Sequence, residues 1–147
     1  MNAREYLSQA YRLDQRINSD LEEVGRLRMM ASAIGSPALN ERVQTSPNGD
    51  APFVRSIEKI MLMENQIDRE VDLYVDLKDQ IRDVIAAVEN TDEQMVLRYR
   101  YIHNDTWEKI GEILKADART VRRWHDDALK HVKIPDDPII IRKMLEK

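Results

Sequence analysis

The stretch TWEKIGEILKADARTVRRW, residues 106–124, decides the fold expected for the C-terminal part of this chain. Thr106 and Asp117 are residue types that commonly cap the start of a helix, and each precedes a helical pattern. The two predicted helices run from Trp107 to Leu114 and from Ala118 to about Val132, with Lys115-Ala116 as a tight turn between them. Two helices joined by so short a turn are typical of a helix-turn-helix.

The apolar residues of this stretch support the same fold. Helices that cross steeply over a short turn need apolar side chains on their facing sides, and the candidates are Ile110, Leu114, Ala116, Val121 and Trp124. A glycine inside a helix costs about 1 kcal/mol relative to Ala. Gly111 therefore indicates a packing requirement where the two backbones come closest. Trp107 and Trp124 are predicted to be core residues rather than base-stacking ones.

The start of the second of these helices carries three arginines that leave its buried face. Arginines at that position suit contacts to phosphates and guanines, and the helix N-terminus adds backbone N–H groups. The pattern predicts a recognition helix for the major groove, with contact fading at Asp126 and Asp127. The predicted DNA-binding residues are Arg119, Thr120, Arg122, Arg123, Lys115 and Thr106. The alternative is an ordinary helical hairpin with solvated arginines.

A further helix is expected just before the helix-turn-helix. Thr91 followed by Gln94 reads as a capping box, so we expect this helix to begin at Thr91 and to end near His103. Its apolar contacts would come from Met95, Leu97, Tyr99, Tyr101 and Ile102. Asn104-Asp105 is predicted to be a turn. The three helices together define a domain over residues 91–133.

The N-terminal part predicts two long helices. One apolar stripe runs from about Asn2 to Ile34, and an unbroken seven-residue repeat marks a helix from about Phe53 to Val88. The repeat consists of Ile60, Ile67, Tyr74, Ile81 and Val88, flanked by Ile57, Val71 and Ile85 on one side and by Met63, Leu77 and Val84 on the other. Residues 35–52, rich in Pro, Gly and Ser, are predicted to be a loop.

These elements predict an all-α fold: a long antiparallel, coiled-coil-like helical hairpin over residues 1–90, the domain 91–133, and a tail over residues 134–147. The hairpin exposes a flank of each stripe, which predicts a homodimer with a four-helix core. Alternatively, the C-terminal domain or residues 138–145 cover that flank. The apolar end of the tail is expected to form a short helix that docks on the body or on a partner subunit.

Charge is distributed unevenly along the chain, whose formal net charge is −4. Residues 1–90 carry 11 Lys and Arg against 16 Asp and Glu, whereas residues 91–147 carry 12 against 11. Any DNA contact should therefore come from a local basic surface in the C-terminal part. An acidic stripe on the second helix indicates that the hairpin avoids DNA; it consists of Glu64, Asp68, Asp72 and Asp76. We interpret the stripe as a solvated face, partly neutralised by Arg12 and Arg16, rather than as a metal site.

Several function classes find no support in the sequence. There is no Cys, which excludes disulfides and Cys-based zinc sites. His103, His125 and His131 are scattered and are interpreted as surface or cap residues. No Gly-rich phosphate loop, nucleophile motif or long apolar run is present. We therefore expect no catalytic residue, no metal, no cofactor and no membrane partner.

Residues 94–132 resemble the fourth region of bacterial sigma factors, the helix-turn-helix that reads promoter minus-thirty-five elements. The similar stretches are VLRYRYI, TWEKIGEIL and RTVRRWHDDALKHV, with matches at Thr106, Glu108, Ile110, Gly111, Val121, Arg122, Ala128 and Leu129. The whole chain, with its NAREYLSQAYRLDQRINS opening, is similar to the ArpU/RinA-like regulators of phages and prophages of Gram-positive bacteria. That resemblance implies regulation of late-gene transcription, with RNA polymerase as a second partner.

The chain departs from the sigma pattern at four positions. Lys115 stands where the pattern favours Gly and is expected to adopt a left-handed conformation. Asp117 stands where it favours Ser but can still cap. Asp126 and Asp127 replace commonly basic residues. No counterpart of the core-promoter regions is visible, which implies a regulator rather than a complete sigma factor.

The sequence thus predicts a non-enzymatic, dimeric regulator that binds double-stranded DNA in the cytoplasm of a bacterial host, in association with the nucleoid. Two other functions fit the same pattern. One is a DNA-packaging recognition protein like the small subunit of a phage terminase. The other is a coiled-coil adaptor that binds protein alone.

Overall fold

The computed structural model describes residues 1–34 and 51–146, apart from the side chains of Ile34 and Ala51. Six helices and no strand occur in this part, which confirms the all-α prediction. They are α1 (Ala3–Ile34), α2 (Ala51–Ala86), α3 (Thr91–Leu97), α4 (Trp107–Leu114), α5 (Ala118–His131) and α6 (Ile141–Leu145). A π-helical turn, Arg98–Ile102, continues α3. Of the predicted loop, residues 35–50 lie outside the described residues, and α2 begins two residues earlier than expected.

The chain divides into two compact units. The first combines Met1–Asp14 with Leu73–Lys147, and the second is Gln15–Asp72. Both long helices therefore contribute to both units. The boundary predicted at residue 90 falls inside the first unit, so the start of α1 belongs to the same packed body as the C-terminal helices.

The core of the first unit forms where the start of α1 packs against the end of α2. Tyr6, Leu7 and Ala10 of α1 are fully buried, as are Leu77 and Ile81 of α2. Full burial of one large aliphatic side chain stabilises a fold by about 1.5–3 kcal/mol. The C-terminal helices complete this core with Leu97, Tyr101 and Ala128. The apolar stripes predicted for the two long helices are thus confirmed in this unit.

The C-terminal tail docks on the first unit. Ile139 and Ile141 pack against its core. The Gln9 side chain accepts a hydrogen bond from the Ile141 amide at 2.9 Å and donates one to the Ile139 carbonyl at 3.0 Å. Gln80 accepts a bond from the Ile139 amide at 2.9 Å. Two glutamines of the long helices thus hold the extended residues that lead into α6, as predicted for docking on the body.

The second unit is a two-helix body built on the seven-residue repeat. Val24 and Ala31 of α1 pack with Ile60 and Ile67 of α2, and Leu27 and Met63 surround them. An ion pair joins Arg28 to Glu64, and Arg16 lies 3.4 Å from Glu70. The sequence predicted that Arg12 and Arg16 partly neutralise the acidic stripe, but within the described residues neither makes an ion pair with it, and Glu64 is paired with Arg28 instead. The Arg28 side chain reaches that carboxylate, whereas Arg16 is drawn to a buried glutamate outside the stripe.

Glu70 is a fully buried carboxyl group of the second unit. Burial, together with a hydrogen bond to Asp20, raises the pKa of Glu70 above its ordinary value of 4.5. Gln66 donates a hydrogen bond to it at 3.0 Å. A buried carboxyl group that lies beside a second carboxyl favours its protonated form, because two adjacent carboxylates would repel each other.

The second unit leaves large apolar side chains exposed. Met29, Met61 and Leu62 are 75%, 59% and 70% exposed. Ile57 and Val71, which flank the repeat, are also exposed. The packing of α1 on α2 within the second unit therefore does not enclose these side chains.

Residues 1–34 and 51–146 contain neither a helix suited to span a membrane nor a cluster of metal-ligating side chains. None of the helices there is both long and apolar enough to cross a membrane. The same residues contain no group of three or more His, Cys, Asp or Glu side chains arranged to hold a metal ion.

Candidate nucleic-acid interface

The helix that leads into the interface is capped by Asn90, not by Thr91 as predicted. The Asn90 side chain accepts a hydrogen bond from the Glu93 amide at 3.0 Å, and Thr91 is the first helical residue. Both residue types cap helices well, but Asn90 is the cap because it has the extended backbone conformation (φ −74°, ψ 124°) that an N-cap residue adopts. Gln94, the expected second half of the box, donates instead to carbonyls in the last turn of α2 and just beyond it, including those of Ala86 at 3.3 Å and Val88 at 3.4 Å.

A π-helical turn ends this helix, and the sequence pattern did not predict it. The His103 amide donates to the Arg98 carbonyl at 3.2 Å, which closes the wider ring. The ammonium group of Lys78 donates to the carbonyls of Tyr101 and Ile102. Burial lowers the pKa of Lys78 below its ordinary value. The turn that follows, predicted at Asn104-Asp105, is confirmed by the positive φ of Asn104, 58°.

Helix α4 begins and ends as predicted. The Thr106 side chain caps it by accepting a hydrogen bond from the Lys109 amide at 3.2 Å. Lys115 ends it in the left-handed region, at φ 57° and ψ 48°, which confirms the conformation expected there. A non-glycine residue in that region carries a cost of roughly 1–2 kcal/mol.

Gly111 fits against the backbone of the turn. A Cβ atom added to it would collide with the Ala116 carbonyl oxygen. The Ala116 amide also donates to the Gly111 carbonyl at 2.9 Å. The predicted requirement for a small residue is therefore confirmed, and the close neighbour is the turn between α4 and α5.

Asp117 fixes the start of α5. Its side chain accepts a hydrogen bond from the Thr120 amide at 2.7 Å, and hydrogen bonds from Thr120 hold the pKa of Asp117 below its ordinary value. Four residues into the helix, Val121 is buried against Val96 and Ile110. The apolar neighbours expected around this contact are in place: Leu114, Ala116 and Trp124, with Trp107 and Tyr99. The predicted packing of α4 on α5 is thus confirmed.

The predicted DNA-binding side chains lie on the helix-turn-helix, between the cap of α4 and the first turns of α5. Five of the six are exposed, namely Thr106, Lys115, Arg119, Arg122 and Arg123, and Thr120 is half-buried. Arg119 and Arg123 are one helical turn apart and make no ion pair within the described residues. Arg122 lies 3.9 Å from the Glu108 carboxylate.

An open cleft of about 680 Å³ borders this surface. Its lining contains four arginines, Arg4, Arg12, Arg100 and Arg122, and one carboxylate, that of Asp126. Arg4 lies 3.2 Å from Asp126. The sequence assigned no role to Arg4, since it lies 122 residues from its partner.

The Trp107 ring forms one wall of the open cleft. The Arg100 guanidinium lies 4.0 Å over the Trp107 ring and donates to the Asp105 carbonyl at 3.0 Å. Such cation–π contacts contribute about 0.5–2 kcal/mol. The π-helical turn sets Arg100 in this position, so a backbone feature that the sequence did not predict orients one of the four arginines.

His125 forms the floor of the cleft, which corrects the prediction that it is a surface or cap residue. It is 3% exposed, and its Nε2 lies 2.6 Å from the Tyr101 hydroxyl. Burial, with a smaller contribution from Arg4, lowers the pKa of His125 to about 4. The other two histidines are exposed, and His103 ends the π-helical turn. His125 was missed because its burial depends on the π-helical turn, which no periodicity marks.

Comparison with known proteins gave one match. A family model described as "Protein of unknown function (DUF722)" matches residues 31–133, which include α2 through α5. No curated protein and no solved structure matches the chain.

Proposed function

The chain belongs to the family described as "Protein of unknown function (DUF722)", and from the geometry of its C-terminal helices we propose that it is a DNA-binding transcription regulator. In this proposal α5 enters the major groove of a target duplex, and the protein works without a catalytic step. The sigma-like resemblance of α3 to α5 suggests promoter-proximal DNA as the target, phage or prophage genes as the regulated set, and RNA polymerase as a second partner.

One observation carries the proposal: Arg119 and Arg123 are exposed on the first turns of a helix whose opposite side is buried. The Asp117 cap fixes where the helix begins, and the buried Val121 fixes its rotation. The two guanidinium groups therefore share one outward face. Arginine recognises guanine by paired hydrogen bonds in the major groove, and each such pair contributes about 1–3 kcal/mol of discrimination.

Dimerisation belongs to the same proposal. The exposed apolar side chains of the second unit, Met29, Met61 and Leu62 among them, would lose contact with water if two copies packed there. A twofold dimer presents two recognition helices, so its target would contain two half-sites. Analytical ultracentrifugation would detect a dimer. A ring of eight or more subunits would indicate the packaging function instead.

The test of DNA binding begins with selection of bound duplexes from a random-sequence library. The affinity of the enriched duplex is then measured by fluorescence anisotropy for the intact protein, for the Arg119→Ala/Arg123→Ala variant, and for a control. The control is Arg55→Ala/Lys59→Ala, which removes two exposed positive charges from the start of α2. We expect a loss of at least about 30-fold for the α5 variant and little change for the control.

Circular dichroism must give equal helix content for all three proteins. Two results would refute the proposal. One is an intact protein that enriches no duplex and binds none in a salt-dependent way, as a purely protein-binding adaptor would. The other is an α5 variant that binds the enriched duplex as tightly as the intact protein.

A further inference from the structure

The cleft beside α5 gathers positive charge from distant parts of the chain. Arg4 and Arg12 come from α1, Arg100 from the π-helical turn and Arg122 from α5. Against these four guanidinium groups the lining offers the single carboxylate of Asp126. Like charges brought into one concave surface repel one another, and an anion bound among them relieves that repulsion.

The four arginines are not equally engaged. Arg4 is paired with Asp126, and Arg122 is 3.9 Å from Glu108, a distance too long for a hydrogen bond. Arg100 uses one nitrogen for the Asp105 carbonyl, which is a neutral acceptor. Arg12 is exposed and makes no ion pair within the part of the chain that the structure describes. At least two full positive charges therefore remain without a carboxylate at hydrogen-bonding distance.

The chemistry of the lining fits a phosphate. Guanidinium groups bind phosphate oxygens through paired N–H donors. The Thr106 side chain also lines the cleft, so α4 begins at its rim, where the first backbone N–H groups of a helix favour an anion. The Arg100–Trp107 stack holds one guanidinium plane fixed, which lowers the entropy lost when it binds a ligand.

The position of the cleft favours a phosphate that belongs to the duplex. Arg122 lines the cleft and lies one helical turn after Arg119, on the exposed side of α5. Thr106 likewise belongs both to the cleft and to the set of predicted DNA-binding residues. A duplex contacted by Arg122 and Thr106 would therefore place one of its backbone strands at the mouth of the cleft. The cleft is also open rather than enclosed, as a site for a continuous backbone must be.

We propose that this cleft binds a backbone phosphate of the target duplex beside the groove contact, and that Arg4 and Arg12 make the start of α1 part of the DNA interface. The inference rests on the proposed function and deepens it. It assigns to the N-terminal helix a contact that positions the protein on DNA, whereas Arg119 and Arg123 read sequence.

The experiment compares two single variants with a matched control. Arg12→Ala removes a cleft arginine that makes no ion pair within residues 1–34 and 51–146, and Arg4→Ala removes the one paired with Asp126. Arg26→Ala is the control, because Arg26 is an exposed arginine of the same helix in the second unit. The affinities for the enriched duplex and for a scrambled duplex of equal length are measured at several salt concentrations.

We expect Arg12→Ala to weaken binding of both duplexes by roughly tenfold and to reduce the slope of log K against log salt by about 0.9, the value for one phosphate contact. Arg4→Ala should act in the same direction, and Arg26→Ala should change neither quantity. The Arg119→Ala/Arg123→Ala variant should differ from the cleft variants, because it should lose the preference for the enriched duplex over the scrambled one.

Three results separate failure of this inference from failure of the proposed function. If the intact protein binds no duplex, the proposed function fails and the inference with it. If the intact protein binds but both cleft variants match Arg26→Ala, only the inference fails. A free nucleoside monophosphate that binds the cleft at micromolar concentration without competing with the duplex would also overturn it, since the site would then serve a soluble ligand.

Discussion

Replacement of Gly111 by Ala should destabilise the first unit, although Ala is the better helix former. The propensity gain is about 1 kcal/mol. Against it, the new Cβ would collide with the Ala116 carbonyl oxygen. That atom is held by the turn between the left-handed Lys115 and the Asp117 cap, so it cannot move aside as a flexible side chain would.

The expected magnitude follows from the two contacts at risk. Overpacking of a tightly fitted position costs about 1–3 kcal/mol. A shift of the turn also weakens the hydrogen bond from the Ala116 amide to the Gly111 carbonyl, which contributes about 1 kcal/mol. After the propensity gain is subtracted, the free energy of unfolding should fall by about 1–3 kcal/mol.

Gly25 supplies the matched control, because it is a helical glycine with nothing within 4 Å of the position of an added Cβ. Gly25→Ala should therefore raise stability by about 0.5–1 kcal/mol. Urea unfolding is followed by tryptophan fluorescence for Gly111→Ala, since the two tryptophans of the chain are Trp107 and Trp124, and by circular dichroism at 222 nm for Gly25→Ala. If both variants gained stability, the steric argument at Gly111 would be refuted.

Lys115→Gly should stabilise the first unit by about 1 kcal/mol in the same fluorescence assay, because it relieves the left-handed conformation; a loss would contradict the strain assigned there. The pKa of His125 is about 4 in the folded protein and 6.5 ordinarily, so as the pH falls the unfolded chain takes up this proton first. The free energy of unfolding of the first unit should therefore decrease between pH 6.5 and pH 4, by up to about 3 kcal/mol. His125→Gln should abolish that fall. The pKa of Glu70 is raised in the folded protein, so its stabilising contribution to the free energy of unfolding is present below about pH 4.5 and is lost as the pH rises. Circular dichroism should therefore show Glu70→Gln to be more stable than the intact protein at pH 7 but not at pH 4.

The helix-turn-helix could be predicted in detail because its determinants are local. Caps at Thr106 and Asp117, the left-handed Lys115 and the small Gly111 each depend on residues within a few positions along the chain. Hydrogen bonds between a side chain and a nearby amide can be predicted from sequence, because they require particular residue types at a fixed spacing. The same rules misassigned the cap at Thr91 because Asn90 is equally suited, and only the backbone conformation separates two such neighbours.

The cleft could not be predicted, because its parts are brought together by tertiary packing. Arg4 pairs with Asp126, from which it is separated by 122 positions in the sequence. His125 is buried beside a π-helical turn that no hydrophobic periodicity reveals. A hydrophobic pattern indicates which face of a helix is buried, but not which charged residue of another helix lies beside it. The sequence therefore predicted α5 and its Asp117 cap but missed the arginines of α1 that line the cleft beside it.

The net charge of the chain is a poor guide to the proposed DNA partner for a related reason. A duplex phosphate interacts with charges within about one Debye length, roughly 8–10 Å at physiological salt, and not with the chain as a whole. The formal charge of −4 counts the acidic face of α2 equally with the arginines of the cleft. Division of the sequence at residue 90 makes the same error, because it assigns Arg4 and Arg12 to the acidic part although they belong to the first unit. The salt dependence of DNA binding should therefore follow the number of arginines at the interface, and a change of charge in the second unit should leave it unaltered.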